Sequence, residues 1–276
     1  MPEGDTVFLA AGRLDRALRG RVLTGSDFRV PRYSTLDLSG RRVQEVVARG
    51  KHILFRLTGD VTLHTHFEMD GAWHIYRSGE RWRAPAHEAR VVLATDVFSV
   101  VGFRLPVIDV LDRADEERVV GHLGPDLLGP DWDPDEAERR LVADPACPIG
   151  DALLDQAVMA GLGNVYRSEI CFLMGLDPMT PVGEVPDPAR VVARSRAVIF
   201  ANRNTGNQIT TGDARPGRTH WVYGRGGEPC RRCGAAIERS HAGPTGRERV
   251  IYRCPRCQPA GRVAHSLTQV RGRADA

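Results

Sequence analysis

The stretch RVQEVVARGKHILFRLTGDVTLHTH, residues 42–66, reads as three short strands, Arg42–Ala48, His52–Leu57 and Val61–His66. Runs rich in β-branched and aromatic residues are broken there by turn residues. Working outward, the same pattern recurs at Ala72–Tyr76, Ala89–Ala94 and Leu105–Leu111, so the region from Arg21 to about Leu111 is expected to form an antiparallel sandwich. Ahead of it, Asp5–Arg19 reads as a helix with Val7, Ala11, Leu14 and Leu18 on one face, and acidic Glu3 and Asp5 suit the dipole at its start. Behind it, Gly129-Pro-Asp-Trp-Asp-Pro134 breaks the strand pattern. Helices are expected at Asp135–Ala143, Gly150–Ala160, Val165–Met174 and Pro188–Asn202, the last capped by Asp187. The fold class is therefore α+β and multidomain, a sandwich with a leading helix followed by a helical region and a Gly- and Arg-rich end.

Composition narrows the partners. The 276 residues are 42% hydrophobic and 26% charged, as in ordinary globular proteins. The sequence shows no apolar run of membrane length and no leader pattern, so no membrane partner is expected and the cytoplasm is the expected compartment. The net charge of +3 hides an asymmetry: from Arg203 onward there are 14 Arg against 5 acidic residues. A basic end on an acidic body suits a phosphate-rich partner, although a solvated surface would look the same. Of the 38 basic residues 37 are Arg, leaving Lys51 as the single lysine. Arg stays protonated, whereas a lysine amine can exchange protons.

Three features carry chemistry. Cys230-x2-Cys233 and Cys254-x2-Cys257 are separated by 20 residues, the spacing of two knuckles that hold one structural, tetrahedral Zn2+. Between them, Thr245–Arg249 makes a polar tip able to carry an Arg into a DNA groove. Cys147 and Cys171 lack partner spacing and are expected to behave as small buried hydrophobes. At Leu153–Tyr166, two apolar helical faces flank Gly161-Leu-Gly163, with Asn164 expected to cap the second helix. Such a turn can admit a phosphate to free N–H groups, and plain packing explains the same pattern. Finally, in Met1-Pro2-Glu3-Gly4, removal of the initiator methionine exposes a secondary amine. An α-amino group titrates near about pH 8, which leaves a neutral fraction for nucleophilic attack, with Glu3 beside it for proton transfer. Proline at position 2 is common and by itself means little.

Together these motifs resemble the formamidopyrimidine-DNA glycosylase and endonuclease VIII family, most of all its actinobacterial endonuclease VIII branch. The resemblance spans nearly the whole chain: Met1-Pro2-Glu3-Gly4, Arg49-Gly50-Lys51, His66-x-x-Met69-x-Gly71, His122-x-Gly124-Pro125-Asp126, Leu153–Ser168, Val222-Tyr223-Gly224-Arg225 and the four cysteines. It implies a catalytic β-sandwich domain at 1–120, a helix–two-turns–helix domain at 130–222, a zinc finger at 223–258 and a mobile tail at 259–276, with DNA in the cleft between the two main domains. By position, Pro2 matches the Schiff-base nucleophile, Glu3 the general acid/base, Lys51 the lysine that assists proton transfer and contacts phosphate, and Arg249 the finger-tip arginine of δ-elimination, with Arg247 a nearby competitor for that role. Met69 matches the intercalating loop, while His122, Gly163 and Asn164 fall in DNA-binding motifs.

The implied activity is a bifunctional glycosylase and AP lyase of base excision repair, needing structural zinc and no redox cofactor. The implied partner is damaged DNA, duplex or single-stranded, met by a monomer in the bacterial cytoplasm at the nucleoid. The opening Pro-Glu-Gly and the short stretch between Thr210 and Val222 favour oxidised pyrimidines over oxidised purines. A non-catalytic zinc-finger binder of damaged DNA would share the basic end and the cysteines, but has no need of Pro2, Glu3 and Lys51.

Overall fold

Helix α1 (Gly4–Leu18) forms where the sequence aligns Val7, Ala11, Leu14 and Leu18, and all four are at most 2% exposed. Glu3 leads into it in an extended conformation, φ −119° and ψ −175°, and Asp5 sits in the first turn, where negative charge offsets the helix dipole. The structure, a computed structural model, describes residues 2–242 and 249–260. Arg247, most of the expected finger tip and the tail from 261 lie outside the described residues.

Eight strands follow: β1 (Gly25–Phe28), β2 (Val43–Arg49), β3 (His52–Leu57), β4 (Val61–His66), β5 (Ala72–Arg77), β6 (Ala89–Ala94), β7 (Phe98–Phe103) and β8 (Val107–Asp112). They form two four-stranded antiparallel sheets, ordered β1-β6-β7-β5 and β2-β3-β4-β8. Alternation sends Ile53, Phe55, Leu57 and Leu63 of one sheet toward Val91, Leu93 and Val100 of the other, with Val7 and Leu14 of α1 in the same core. Three strands occur at the bounds expected from sequence. The last was expected from Leu105 but starts at Val107, because Arg104 turns with φ +48° and Pro106 has no N–H to donate. Strands β1 and β7 were not anticipated. β7 includes Ser99 and Gly102, and Gly102 is needed because a Cβ there would lie 2.3 Å from Leu105 Cδ1 and 3.2 Å from the Trp73 ring.

Helices α2 (Glu117–Val120), α3 (Pro134–Leu141), α4 (Ile149–Ala152), α5 (Asn164–Met174) and α6 (Pro188–Asn202) follow, then a hairpin of β9 (Glu238–Ala242) and β10 (Arg249–Arg253). The helix expected over Gly150–Ala160 ends at Ala152. Gln156 closes a loop instead, its Nε2 donating to Leu162 O at 3.0 Å and its Oε1 accepting from Gly161 N at 3.0 Å. Ala160 N–H donates to Pro125 O at 3.0 Å rather than within its own helix.

The chain divides into two compact units: residues 1–133 with 156–162 and 199–207, and residues 134–155 with 163–198 and 208 onward. Among the described residues no helix is long and apolar enough to cross a membrane.

Candidate active site

Within the first unit, the start of α1 is fastened to the 156–162 loop. Gly4 N–H donates to Gly161 O at 2.8 Å, and a Cβ on Gly4 would meet Gly161 Cα at 2.9 Å. Gly161 itself has φ +118°, a conformation that side chains resist. Only two glycines allow this approach, and it sets Glu3 fully buried with half-buried Pro2 just before it. Pro2 also lines a cavity of about 620 Å³, together with Thr6 and Arg13 of α1 and with Phe67, Trp73 and His74 around the β4–β5 turn.

The β2–β3 turn that carries Lys51 abuts the same loop. Gly50, at φ +58°, would place a Cβ 3.1 Å from Ala160 Cβ. Its N–H donates to Asp126 Oδ2 at 2.8 Å, and Leu128 N–H donates to Asp126 Oδ1 at 2.9 Å. Asp126 is 4% exposed; burial pushes its carboxyl up, and the two amides oppose that shift. Arg49 donates to Gly124 O at 3.1 Å and pairs with Asp131 at 3.0 Å. The turn is thereby held at both flanks, with Lys51 half-buried at its apex. Asp126 stands in the His122–Asp126 motif, but this role is not legible there, since the bond joins positions 76 residues apart in the chain.

Beside Lys51 lies a row of imidazoles, of which only His66 and His122 stand in motifs legible in the sequence. His52 Nδ1 is 2.8 Å from His64 Nε2, and His64 Nδ1 is 3.3 Å from Asp109 Oδ2. The His66 and His122 rings lie 4.8 and 6.2 Å from that of His52. Burial, then the neighbouring rings and Lys51, lowers His52 to about 3, and burial with Lys51 lowers His66 to about 4. The signal was the alternation of His64 and His66, legible only once the register pairs His66 with His52 and His64 with Asp109. Of the expected DNA-binding residues in this unit, Met69 is 62% exposed and so is no core methionine, and His122 is exposed.

In the second unit, Asn164 does not cap α5. Gly163 is the N-cap and Asn164 the first helical residue, 7% exposed. Its side chain faces the hairpin instead: Nδ2 donates to Val250 O at 3.0 Å, and Oδ1 accepts from Arg167 Nη2, which also donates to Val250 O at 2.9 Å. Val250 follows exposed Arg249, so these bonds tie the start of α5 to the strand that carries Arg249. A further buried anchor went unread in the sequence. The fully buried Glu169 carboxylate accepts the N–H groups of Trp221, Val222 and Tyr223, each at 2.8 Å, and the Thr210 hydroxyl.

The Sγ atoms of Cys230, Cys233, Cys254 and Cys257 all lie within 4.8 Å of one another. Two pairs, Cys233–Cys254 and Cys230–Cys257, stand at 3.4 and 3.9 Å. A tetrahedral Zn2+ with Zn–S of about 2.3 Å needs S···S edges of about 3.8 Å, so the four thiols fit that ion. Cys171 is fully buried and burial pushes its thiol up to about 12. Cys147, expected to be buried too, is only half-buried because the turn that carries it lies near the surface.

Residues 1–109 match the formamidopyrimidine-DNA glycosylase N-terminal domain, and residues 123–198 match the formamidopyrimidine-DNA glycosylase H2TH domain. The chain is 53% identical over 272 residues to the probable endonuclease 8 2 of Streptomyces coelicolor, covering 95% of this chain and 98% of that one. It is 52% identical over 260 residues to the DNA-(apurinic or apyrimidinic site) lyase Nei2 of Mycolicibacterium smegmatis, covering 94% and 100%. Endonuclease 8 of Escherichia coli is 31% identical over 270 residues, covering 94% and 100%. Among solved structures, Lactococcus lactis formamidopyrimidine-DNA glycosylase bound to AP-site DNA is similar in fold, with TM-score 0.78 at 21% identity over 93% of this chain and 99% of that one.

Proposed function

The chain belongs to the formamidopyrimidine-DNA glycosylase and endonuclease VIII family, and from that premise we propose that it excises oxidised pyrimidines from DNA through the Pro2 amine and then cuts the strand. Its activity is that of a DNA glycosylase and AP lyase of base excision repair. The observation that carries the reading is Pro2 on the wall of a cavity of about 620 Å³, immediately ahead of a fully buried Glu3.

A base inside a duplex is out of reach, so it must first leave the stack, at a cost of a few kcal/mol. Met69, exposed on its turn, fills the gap as an apolar wedge. The Pro2 nitrogen, once deprotonated, attacks C1′. The glycosidic electron pair leaves with the base, which takes a proton delivered by Glu3. The sugar ring opens to a Pro2 iminium, which acidifies the C2′ proton. Loss of that proton expels the 3′ phosphate, and a second elimination, aided by Arg249, expels the 5′ phosphate. Lys51 assists proton transfer and holds a phosphate. Gly163, Asn164 and Arg249 grip the backbone from the second unit, and His122 adds a contact from the first. One Zn2+ on the four cysteines holds the β9–β10 hairpin that carries Arg249, and does no chemistry. In this reading the chain is divided by function into a catalytic sandwich at 1–120, a helical domain at 130–222 and a finger at 223–258.

Preference for oxidised pyrimidines is supported by the segment after Thr210. Thr210 N–H donates to Thr219 O at 2.9 Å, and Glu169 clamps its far end, so only residues 211–218 are left to reach over a base. Borohydride will trap a covalent complex with thymine-glycol DNA, and Pro2→Gly will greatly weaken the trap. Full-speed trapping by protein that retains Met1 would overturn the assignment. Parallel excision from 8-oxoguanine duplexes, expected to be the slower, decides the substrate class.

A further inference from the structure

β4 ends at His66, and the chain turns through Phe67–Asp70 before β5. Gly71 N–H donates to Phe67 O at 2.9 Å to close the turn. Phe67 is 4% exposed and anchors it, while Met69 projects at 62% exposure. Between them Glu68 has φ +47°, a left-handed conformation unfavourable for a residue with a side chain. Such a conformation persists only where its surroundings hold it. Two bonds from outside do so: Arg104 Nε donates to Asp70 O at 3.3 Å, and Glu68 N–H donates to His66 Nδ1 at 3.0 Å.

The second bond fixes the chemistry of the ring. A nitrogen that accepts an N–H bears no proton, so neutral His66 carries its hydrogen on Nε2. The two nitrogens then have separate uses: Nε2–H, which makes no hydrogen bond among the described residues, can serve a phosphate, whereas Nδ1 serves the protein's own turn. The neighbouring His52 has its Nδ1 engaged with His64 and does not compete for the Glu68 amide.

We propose that His66 is a positioning residue whose Nδ1 sets the turn that presents Met69 to the base stack. The inference rests on the reading of Met69 as the residue that fills the gap left by the damaged base.

Asparagine places an amide oxygen about where Nδ1 lies, and glutamine places its amide about where Nε2 lies. His66→Asn therefore keeps the acceptor for Glu68, and His66→Gln keeps only the outward donor. With 2-aminopurine beside a thymine glycol, stopped-flow fluorescence reads base eversion. His66→Gln is expected to slow eversion roughly tenfold, with a much larger loss on duplex lesion DNA than on single-stranded abasic DNA, which has no stack to invade; His66→Asn should restore most of it. Met69→Ala should slow eversion like His66→Gln. Nitrogen NMR of the ring should show the Nε2–H tautomer.

A ring protonated at Nδ1, an Asn variant as slow as the Gln variant, or equal losses on the two DNA forms would each overturn the inference. If Met69→Ala slows eversion and His66→Gln does not, the inference alone falls. If Met69→Ala leaves eversion intact, the gap-filling reading falls and the inference with it.

Discussion

Gly4 and Gly161 meet backbone to backbone: the Gly4 amide donates to the Gly161 carbonyl at 2.8 Å, with no room for a Cβ between them. The proposed nucleophile is two residues upstream of Gly4, so this contact holds the segment that carries it.

Gly4→Ala should push the start of α1 off the loop. The added methyl would sit 2.9 Å from Gly161 Cα and 3.0 Å from its carbonyl oxygen, neither the end of a flexible side chain. Overpacking of this kind costs about 1–3 kcal/mol. Melting should fall by a few degrees, and the rate of cleavage at an abasic site should drop by at least roughly tenfold. Unchanged lyase kinetics would show that the position of Pro2 does not depend on this contact.

Asp126→Asn replaces one of two carboxylate oxygens by an NH2 that must face an N–H donor, either Gly50 or Leu128. A buried donor left without its acceptor costs about 1–3 kcal/mol. Denaturant unfolding should show that loss, and cleavage should slow because the Lys51 turn is no longer held. Stability equal to the parent's would mean the turn is kept in place by Arg49 alone.

The imidazole row makes the fold acid-sensitive. His52 is lowered to about 3 and His66 to about 4, and His64 is lowered by burial against the opposing pull of Asp109. In the unfolded chain each titrates near about 6.5. Below that pH the unfolded chain takes up protons that the folded state refuses, so stability present above about pH 6.5 is lost as pH falls toward 4, on the order of a few kcal/mol. Lys51, on the adjacent turn, repels a proton there, while Asp109 attracts one; His122 also faces the row. The raised carboxyl of Asp126 adds a smaller slope of opposite sign. Melting temperatures at pH 7, 6 and 5 should fall steadily, and His52→Asn should flatten the curve. A flat curve for the parent protein would contradict the buried neutral rings.

Removal of zinc should loosen DNA binding without stopping the chemistry at Pro2. Cys230 and Cys254 share a small core with Phe172, Val222 and Ile237, and Arg232 lies over the Phe172 ring at 4.4 Å. Chelation or Cys254→Ser should therefore shift Trp221 fluorescence and weaken the affinity for abasic-site DNA. Affinity unchanged by a chelator that strips the metal would refute a structural ion that supports Arg249.

The legible parts of this fold are the local ones. His52–Leu57, Val61–His66, Ala89–Ala94 and Pro188–Asn202 carry their bounds in alternation, helical period and punctuation, all set within a few residues. The expected helix through Ala160 fails because Pro125 takes the Ala160 amide, a partner far up the chain. β7 escaped notice because it includes Ser99 and Gly102, and what makes it a strand is β5 on one side and β6 on the other.

The same boundary runs through the candidate site. The chain by itself determined which groups exist: a proline ahead of Glu3, one lysine, four thiols at knuckle spacing, a glycine turn before Asn164. Tertiary structure alone decided what each can do, by giving Gly50 the Asp126 carboxylate, Asn164 the Val250 carbonyl and His66 the Glu68 amide. The reason is that periodicity reports only neighbours in sequence, whereas a buried hydrogen bond takes whichever partner the fold brings within about 3 Å.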